Sequence, residues 1–226
     1  MKYACLLLSL LVLAGCKSLT GLNLEDDYRG DDVGHVVIGL GGTAGAQYYS
    51  VALYYKRSMF NAGKLDELSR FVYPPLFELV SKPDYVTEQE EGRVLTAKLA
   101  PGEYEFVNFH ATIYNQVVYS AGAPFSIPFT VRAGETTYLG NYRAVASEGQ
   151  GPMGGVKGTP LFLLQDEAER DLALARKREP GLFKTVQNAT PKAAWIKREF
   201  FVDELPTEVV QKQRGRMSMQ EMLWGG

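Results

Sequence analysis

The sequence predicts a mainly β protein: an antiparallel β-sandwich with one α-helix in its C-terminal half. Three observations predict it. Short runs rich in Val, Ile, Tyr and Phe recur along the chain, several with apolar and polar residues alternating. Turn-forming residues separate them, drawn from 23 glycines and 11 prolines. A single stretch, residues 166–179, carries helical periodicity with a start and a stop signal.

The elements follow in order. His35 to Leu40 is a β-branched strand and Gln47 to Lys56 another, dense in Tyr and Val, with Gly41-Gly42-Thr43-Ala44-Gly45 read as the turn between them. Leu68 to Tyr73 is a shorter strand stopped by Pro74-Pro75, and residues 81–92 are a polar loop. In Arg93 to Leu99, the residues Leu95, Ala97 and Leu99 share a face. After the Pro101-Gly102 turn, Tyr104 and Phe106 face away from Glu103 and Glu105. Phe125, Ile127, Phe129 and Val131 then point one way, with Ser126, Pro128, Thr130 and Arg132 opposite them. Pro128 has no backbone donor and assigns that strand to an edge or a bulge. Ala133-Gly134-Glu135 turns into the strand Thr136 to Ala144.

Residues 147–158 form a glycine-rich loop and Thr159 to Leu164 a last core strand. In the helix, Asp166 as cap with Glu169 three residues on has capping-box spacing. Ala168, Leu172 and Ala175 form its apolar stripe, Arg176-Lys177-Arg178 suits its negative end, and Pro180-Gly181 stops it. Glu199 to Val202 is strand-like. The folded domain is therefore expected over residues 35–204, with a flexible tail at 205–226.

Two segments resemble known families. Leu99-Ala100-Pro101-Gly102-Glu103-Tyr104-Glu105-Phe106, and Phe129-Thr130-Val131-Arg132-Ala133-Gly134-Glu135 continuing into Thr136-Thr137-Tyr138-Leu139-Gly140, resemble a pattern of uncharacterised bacterial lipoproteins with a prealbumin-like or carboxypeptidase-regulatory-like β-sandwich domain. The resemblance spans roughly residues 93–180. It implies a prealbumin/Ig-like sandwich and transfers no catalytic residue.

The N-terminus carries the second resemblance. Lys2 is followed by an apolar run from Ala4 to Val12 and then by Leu13-Ala14-Gly15-Cys16. A helix of about 11 residues spans roughly 17 Å, against about 30 Å of bilayer hydrocarbon, so the run suits a cleavable signal. Leu13-Ala14-Gly15-Cys16 is similar to a bacterial lipobox. That similarity implies removal of residues 1–15, lipidation of Cys16 with acyl chains such as palmitate, and a lipid anchor and tether over 16–34. In a Gram-negative cell, Lys17 in place of an aspartate favours the outer membrane, facing the periplasm; otherwise the chain is expected to be membrane-anchored and extracytoplasmic. Cys5 leaves with the signal, so the folded part holds no cysteine, which excludes disulfides, thiolate metal sites and a cysteine nucleophile there.

Other motifs carry less. The formal net charge of −2 gives no electrostatic case for nucleic acid. Glu25-Asp26-Asp27 and Asp31-Asp32 lack the spacing of an EF-hand loop. Val36 to Ala44 imitates a dinucleotide fingerprint, but a strand rather than a helix follows it. Gly151 to Gly158 lacks the Gly-Lys-Ser/Thr of a phosphate loop. His35 and His110 have no metal-site spacing, and His110 with Ser120 lacks the nucleophile elbow of a hydrolase. His110 is read as a partly buried, hydrogen-bonded residue in strand phase with Tyr104 and Phe106. Tyr48, Tyr49, Tyr54, Tyr55, Tyr114 and Tyr119 suit sugar stacking but fit core packing better. Met217, Met219, Met222, Leu223 and Trp224 form an apolar cluster in the tail.

The expectation is a membrane-anchored bacterial lipoprotein, a non-enzymatic binding or scaffolding module for an envelope-protein or cell-wall partner. No cofactor, metal or catalytic residue is assigned. The alternative is an envelope hydrolase or a carbohydrate-binding protein.

Overall fold

The alternation in the sequence becomes two sheets in the computed structural model, which describes residues 28–44, 50–59, 68–73, 82–112, 118–147, 149–150 and 156–211. The first sheet contains β1 (Gly34–Thr43), β4 (Tyr85–Val86), β5 (Glu90–Leu99), β9 (Thr136–Ala146), β12 (Pro160–Gln165), β13 (Val186–Asn188) and β14 (Phe201–Val202). Its order is β14-β12-β9-β1-β5-β4, with β13 also on β9. The second sheet contains β2 (Ser50–Arg57), β3 (Ser69–Tyr73), β6 (Gly102–Thr112), β7 (Val118–Ser120) and β8 (Ile127–Val131). Its order is β3-β2-β6-β7, with β8 also on β6. A separate ribbon pairs β10 (Gly149–Gln150) with β11 (Val156–Lys157).

The two sheets share one core. Val36, Ile38 and Leu40 of β1, Leu139 and Tyr142 of β9 and Phe162 of β12 meet Leu53 and Tyr55 of β2, Phe106 and Phe109 of β6 and Phe129 of β8. Aromatic rings dominate it: Phe106 lies 5.2 Å from Phe129 and 5.9 Å from Tyr142, centroid to centroid. The helix α1 (Ala168–Arg178) covers the opposite face of the first sheet, where Leu172 and Ala175 pack with Val37, Val94 and Tyr138. The order of layers is thus sheet, sheet, helix.

Phe125, Ile127, Phe129 and Val131 all face the core as expected. Strand β8 pairs with β6 along one side, and Pro128 is exposed on this edge strand, where the missing donor costs no ladder bond.

Several expectations are corrected. The sandwich is not purely antiparallel: β1 runs parallel to β9, β13 parallel to β9, and β14 parallel to β12. Gly41, Gly42 and Thr43 are not a turn but the end of β1, paired with Gly92, Glu91 and Glu90. Residues 81–92 are not all loop, because β4 and the start of β5 lie there. The cap of α1 is Glu167, which makes no side-chain cap bond. Asp166, one residue earlier, accepts the Ala168 N–H at 3.3 Å, so no capping box forms. A second, short helix, α2 (Ala193–Ile196), also follows. The described chain is fastened to the domain from Tyr28, whose N–H donates to Lys98 O at 2.9 Å, and remains packed as far as buried Val209.

Candidate functional site

The face of the first sheet beneath α1 carries an unusual buried polar cluster. Strand alternation sends Gly39 and Gly41 of β1, Glu90 and Gly92 of β5, and Asn141 and Arg143 of β9 to this side. Tyr138 joins them although it stands three residues from Asn141, because the β1–β9 register shifts between Val37 and Gly39. The extra residue in β9 is accommodated at Gly140, whose φ of +92° favours glycine.

The glycines make the space. A Cβ on Gly39 would sit 2.1 Å from Asn141 Nδ2 and 2.4 Å from Asp171 Oδ2. One on Gly92 would sit 2.3 Å from the Tyr85 hydroxyl oxygen. The glycines that imitate a cofactor fingerprint thus admit side chains of the protein itself.

Asp171 of α1 is fully buried at the centre. Its Oδ2 accepts from the Tyr138 hydroxyl at 2.9 Å and from Asn141 Nδ2 at 3.3 Å, and its Oδ1 from Arg170 Nε at 2.9 Å. Asn141 Nδ2 also donates to the Tyr85 hydroxyl at 2.9 Å. The Arg170 guanidinium bonds Glu90 Oε1 at 2.6 Å and lies 3.9 Å over the Tyr85 ring. Tyr138 completes the cap by accepting the Glu167 N–H at 3.2 Å.

Electrostatics follow from burial. Loss of solvent pushes Asp171 above the usual aspartate value, while Arg170 and the donors from Tyr138 and Asn141 pull against it. Burial likewise raises the Tyr138 and Tyr85 hydroxyls and lowers Arg143, the last opposed by the charge of Glu90. Around this cluster, Arg178 ties α1 to Asp84 at 2.6 Å and to Val94 O.

The residues singled out from the sequence are distributed elsewhere. Cys16, Tyr48, Tyr49, Tyr114 and the Met217–Trp224 cluster lie outside the described residues. His35 is buried, edge-on to Phe183 at 5.0 Å, with Glu179 at 3.9 Å. His110 is hydrogen-bonded as expected, its Nδ1 lying 3.1 Å from the Tyr54 hydroxyl. It is not in phase with Tyr104 and Phe106, however. The β2–β6 register shifts between Tyr54 and Tyr55, so Phe109 and Ala111 turn inward and His110 stays outside. Ser120 is its register partner on β7. Burial and the nearby Arg70 lower the His110 pKa. Tyr54 and Tyr55 are both buried and Tyr119 packs partly against the core, so none of these three offers a flat exposed stacking platform. Among the described residues no group of three or more His, Cys, Asp or Glu is placed to hold a metal.

The sequence reading missed Asp171, Asn141, Arg143 and Glu90. One signal was present: Asp171 lies three residues after Ala168 and four before Ala175, on the helix face whose other members are apolar.

Comparison with known proteins adds no relative: no family model, no curated protein and no solved structure matches the chain.

Proposed function

We propose that this chain is a lipid-anchored protein of the bacterial cell envelope, held by Cys16, whose β domain binds or scaffolds a partner there. The observation that carries the reading is Leu13-Ala14-Gly15-Cys16 at the end of a short apolar run. The cysteine-free composition after Cys16 agrees with it, since the thiol chemistry of an exported chain is then confined to the anchor. Lys17 supports placement at the outer membrane, facing the periplasm.

The domain is assigned to the prealbumin-like or carboxypeptidase-regulatory-like side of the resemblance. An immunoglobulin arrangement places the first two strands in one sheet. Here β1 and β2 lie in different sheets, which speaks against the Ig-like alternative.

Cys16→Ser tests the anchor. The variant should lose incorporated lipid label and leave the membrane fraction. Retention in that fraction overturns the reading. A hydrolase remains the second reading on one observation, that His110 and Ser120 face each other across β6 and β7. Its test is His110→Ala, which should abolish hydrolysis in an envelope-substrate panel without lowering stability.

A further inference from the structure

Trp195 is 75% exposed, the one aromatic ring among the exposed large apolar side chains of the described residues. Indoles are highly buried on average, so one held in water at a fixed place calls for a reason. Looseness is not the reason. Trp195 sits on the single turn α2, whose Ala193 N–H donates to Asp203 Oδ1 at 3.0 Å and whose Ala193 and Ile196 pack against the core. Lys197 ends the turn in the left-handed region, at φ 55°, which is costly for a residue with a Cβ.

The surface around it is low in charge. The Arg198 guanidinium donates to Pro124 O, and Phe200 and Phe201 lie 5.7 and 5.1 Å from Phe125, so α2 and residues 121–124 share one side of the sandwich. Gly122, Ala123 and Pro124 are exposed there, as is Ala194 beside the indole. Exposed Lys192 and Lys197 flank Trp195 in the chain, while Glu199 and Glu204 follow them into water and Asp203 is engaged at Ala193. A membrane interface takes such a set: the ring settles at headgroup level and the lysine tips reach the phosphates. The bilayer is also within reach. From the start of β1, where the tether enters, α2 lies three strands across, about 14 Å, and about five residues along, about 17 Å. The chain from Cys16 to Tyr28 extends up to roughly 40 Å, so an anchored domain can lay this side on the membrane. Tethering raises the effective concentration of the surface, so a contact too weak to retain an unlipidated chain is populated in an anchored one.

We propose that Trp195, with Ala194, Ala123 and Pro124 around it and Lys192 and Lys197 at its rim, is a surface that docks on the phospholipid bilayer carrying the Cys16 anchor. The proposal rests on the anchor reading and adds to it the side of the domain that meets the lipid.

The test uses the full lipidated chain in vesicles of phosphatidylethanolamine and phosphatidylglycerol, with Trp224→Phe so that Trp195 is the only tryptophan left of two. Flotation with the vesicles reports the anchor, and fluorescence reports the surface. Brominated acyl chains should cut Trp195 emission about twofold, and quenching by aqueous iodide should fall by a similar factor relative to the Cys16→Ser chain in solution. Ala194→Glu, at an exposed position, should remove both effects while the chain still floats. A chain that does not float denies the anchor, and the proposal falls with it. A chain that floats with Trp195 open to iodide and untouched by bromine overturns the docking surface and leaves the anchor standing. Shielding from iodide without bromine quenching would show protein covering the indole, and effects that Ala194→Glu retains would show a contact made elsewhere; each of these also overturns the proposal.

Discussion

Gly39→Ala separates two accounts of the glycines in β1. Intrinsic preference says that alanine in a strand should help, by about 0.5–1 kcal/mol, because glycine loses more backbone entropy on folding. The geometry says the reverse. The new methyl would sit 2.1 Å from Asn141 Nδ2 and 2.4 Å from Asp171 Oδ2, so one of these side chains must move. Displacing Asn141 breaks its bond to Tyr85 at 2.9 Å, worth about 1 kcal/mol, and strands a buried amide. Displacing Asp171 loosens bonds to a buried carboxylate, worth about 1.5–3 kcal/mol each. Since the site is packed on every side by β1, β9 and α1, a net loss of about 3–5 kcal/mol is expected, or roughly 6–20 °C in Tm for a domain of this size.

Urea unfolding followed by far-ultraviolet circular dichroism measures it. Fluorescence is a poorer probe, because Trp195 is 75% exposed in the fold. Gly181→Ala is the control: nothing lies within 4 Å of its Cβ position, and its effect should stay within about 0.5 kcal/mol. Gly39→Ala/Asn141→Ala should cost less than the sum of the single variants, because the truncated Asn141 vacates the space the methyl needs. A loss below about 1 kcal/mol for Gly39→Ala refutes the account.

Arg170→Ala removes the counter-charge of fully buried Asp171 and should destabilise by about 3–5 kcal/mol in the same urea assay; a loss under about 1 kcal/mol would mean that Asp171 does not depend on it. Tyr142→Phe deletes a buried hydroxyl that has no partner among the described residues, and should raise stability by about 1 kcal/mol, whereas destabilisation would reveal a partner. His110 has its folded-state pKa lowered by burial and by Arg70, so its contribution is present above the unfolded value near 6.5 and is lost as pH falls through the lower folded value. His110→Gln should flatten the decline of stability over that acid-side window, and an unchanged pH profile argues against the burial.

Legibility followed the length scale of the interaction. Period-two alternation is local, and it identified the faces of β8 and the core-facing members of β5. The parallel β1–β9 pairing is not local: it joins residues about a hundred positions apart, and no periodicity encodes whether two such strands run together or oppose. Bulges were invisible for a related reason. One extra residue near Val107 turned His110 outward, and another at Gly140 brought Tyr138 beside Asn141, yet each looks like ordinary sequence. In the sequence Gly41 and Gly42 read as a turn, because turn chemistry is the commonest reason for adjacent glycines. Here their neighbours on β4 and β5 decide, since Tyr85 and the backbone at Glu91 and Gly92 fill the space a Cβ at Gly41 would need. The polar cluster itself is assembled from β1, β4, β5, β9 and α1, so only the misplaced Asp171 on an apolar helix face signalled it.

The position of that cluster bears on how an anchored domain would work. The chain joins the first sheet at Tyr28, bonded to Lys98, which is the register partner of His35 near the start of β1. The Glu90 and Arg170 end of the cluster lies towards Gly41 and Thr43, six or more residues further along the same strand, about 20 Å at 3.3 Å per residue. Between Cys16 and Tyr28 the chain can extend at most roughly 40 Å. Anchored through Cys16, the domain would therefore be held by one end of its first sheet, with the cluster towards the other end. A shortened tether discriminates this arrangement from a membrane-facing site. In a chain lacking residues 18–24, Glu88→Cys, exposed beside Glu90 at that end of the sheet, should react with a thiol probe as readily in vesicles as in detergent, because this end is not the one that approaches the bilayer. Protection of that cysteine on vesicles, with its reaction retained in detergent, would place this end of the sheet against the membrane instead.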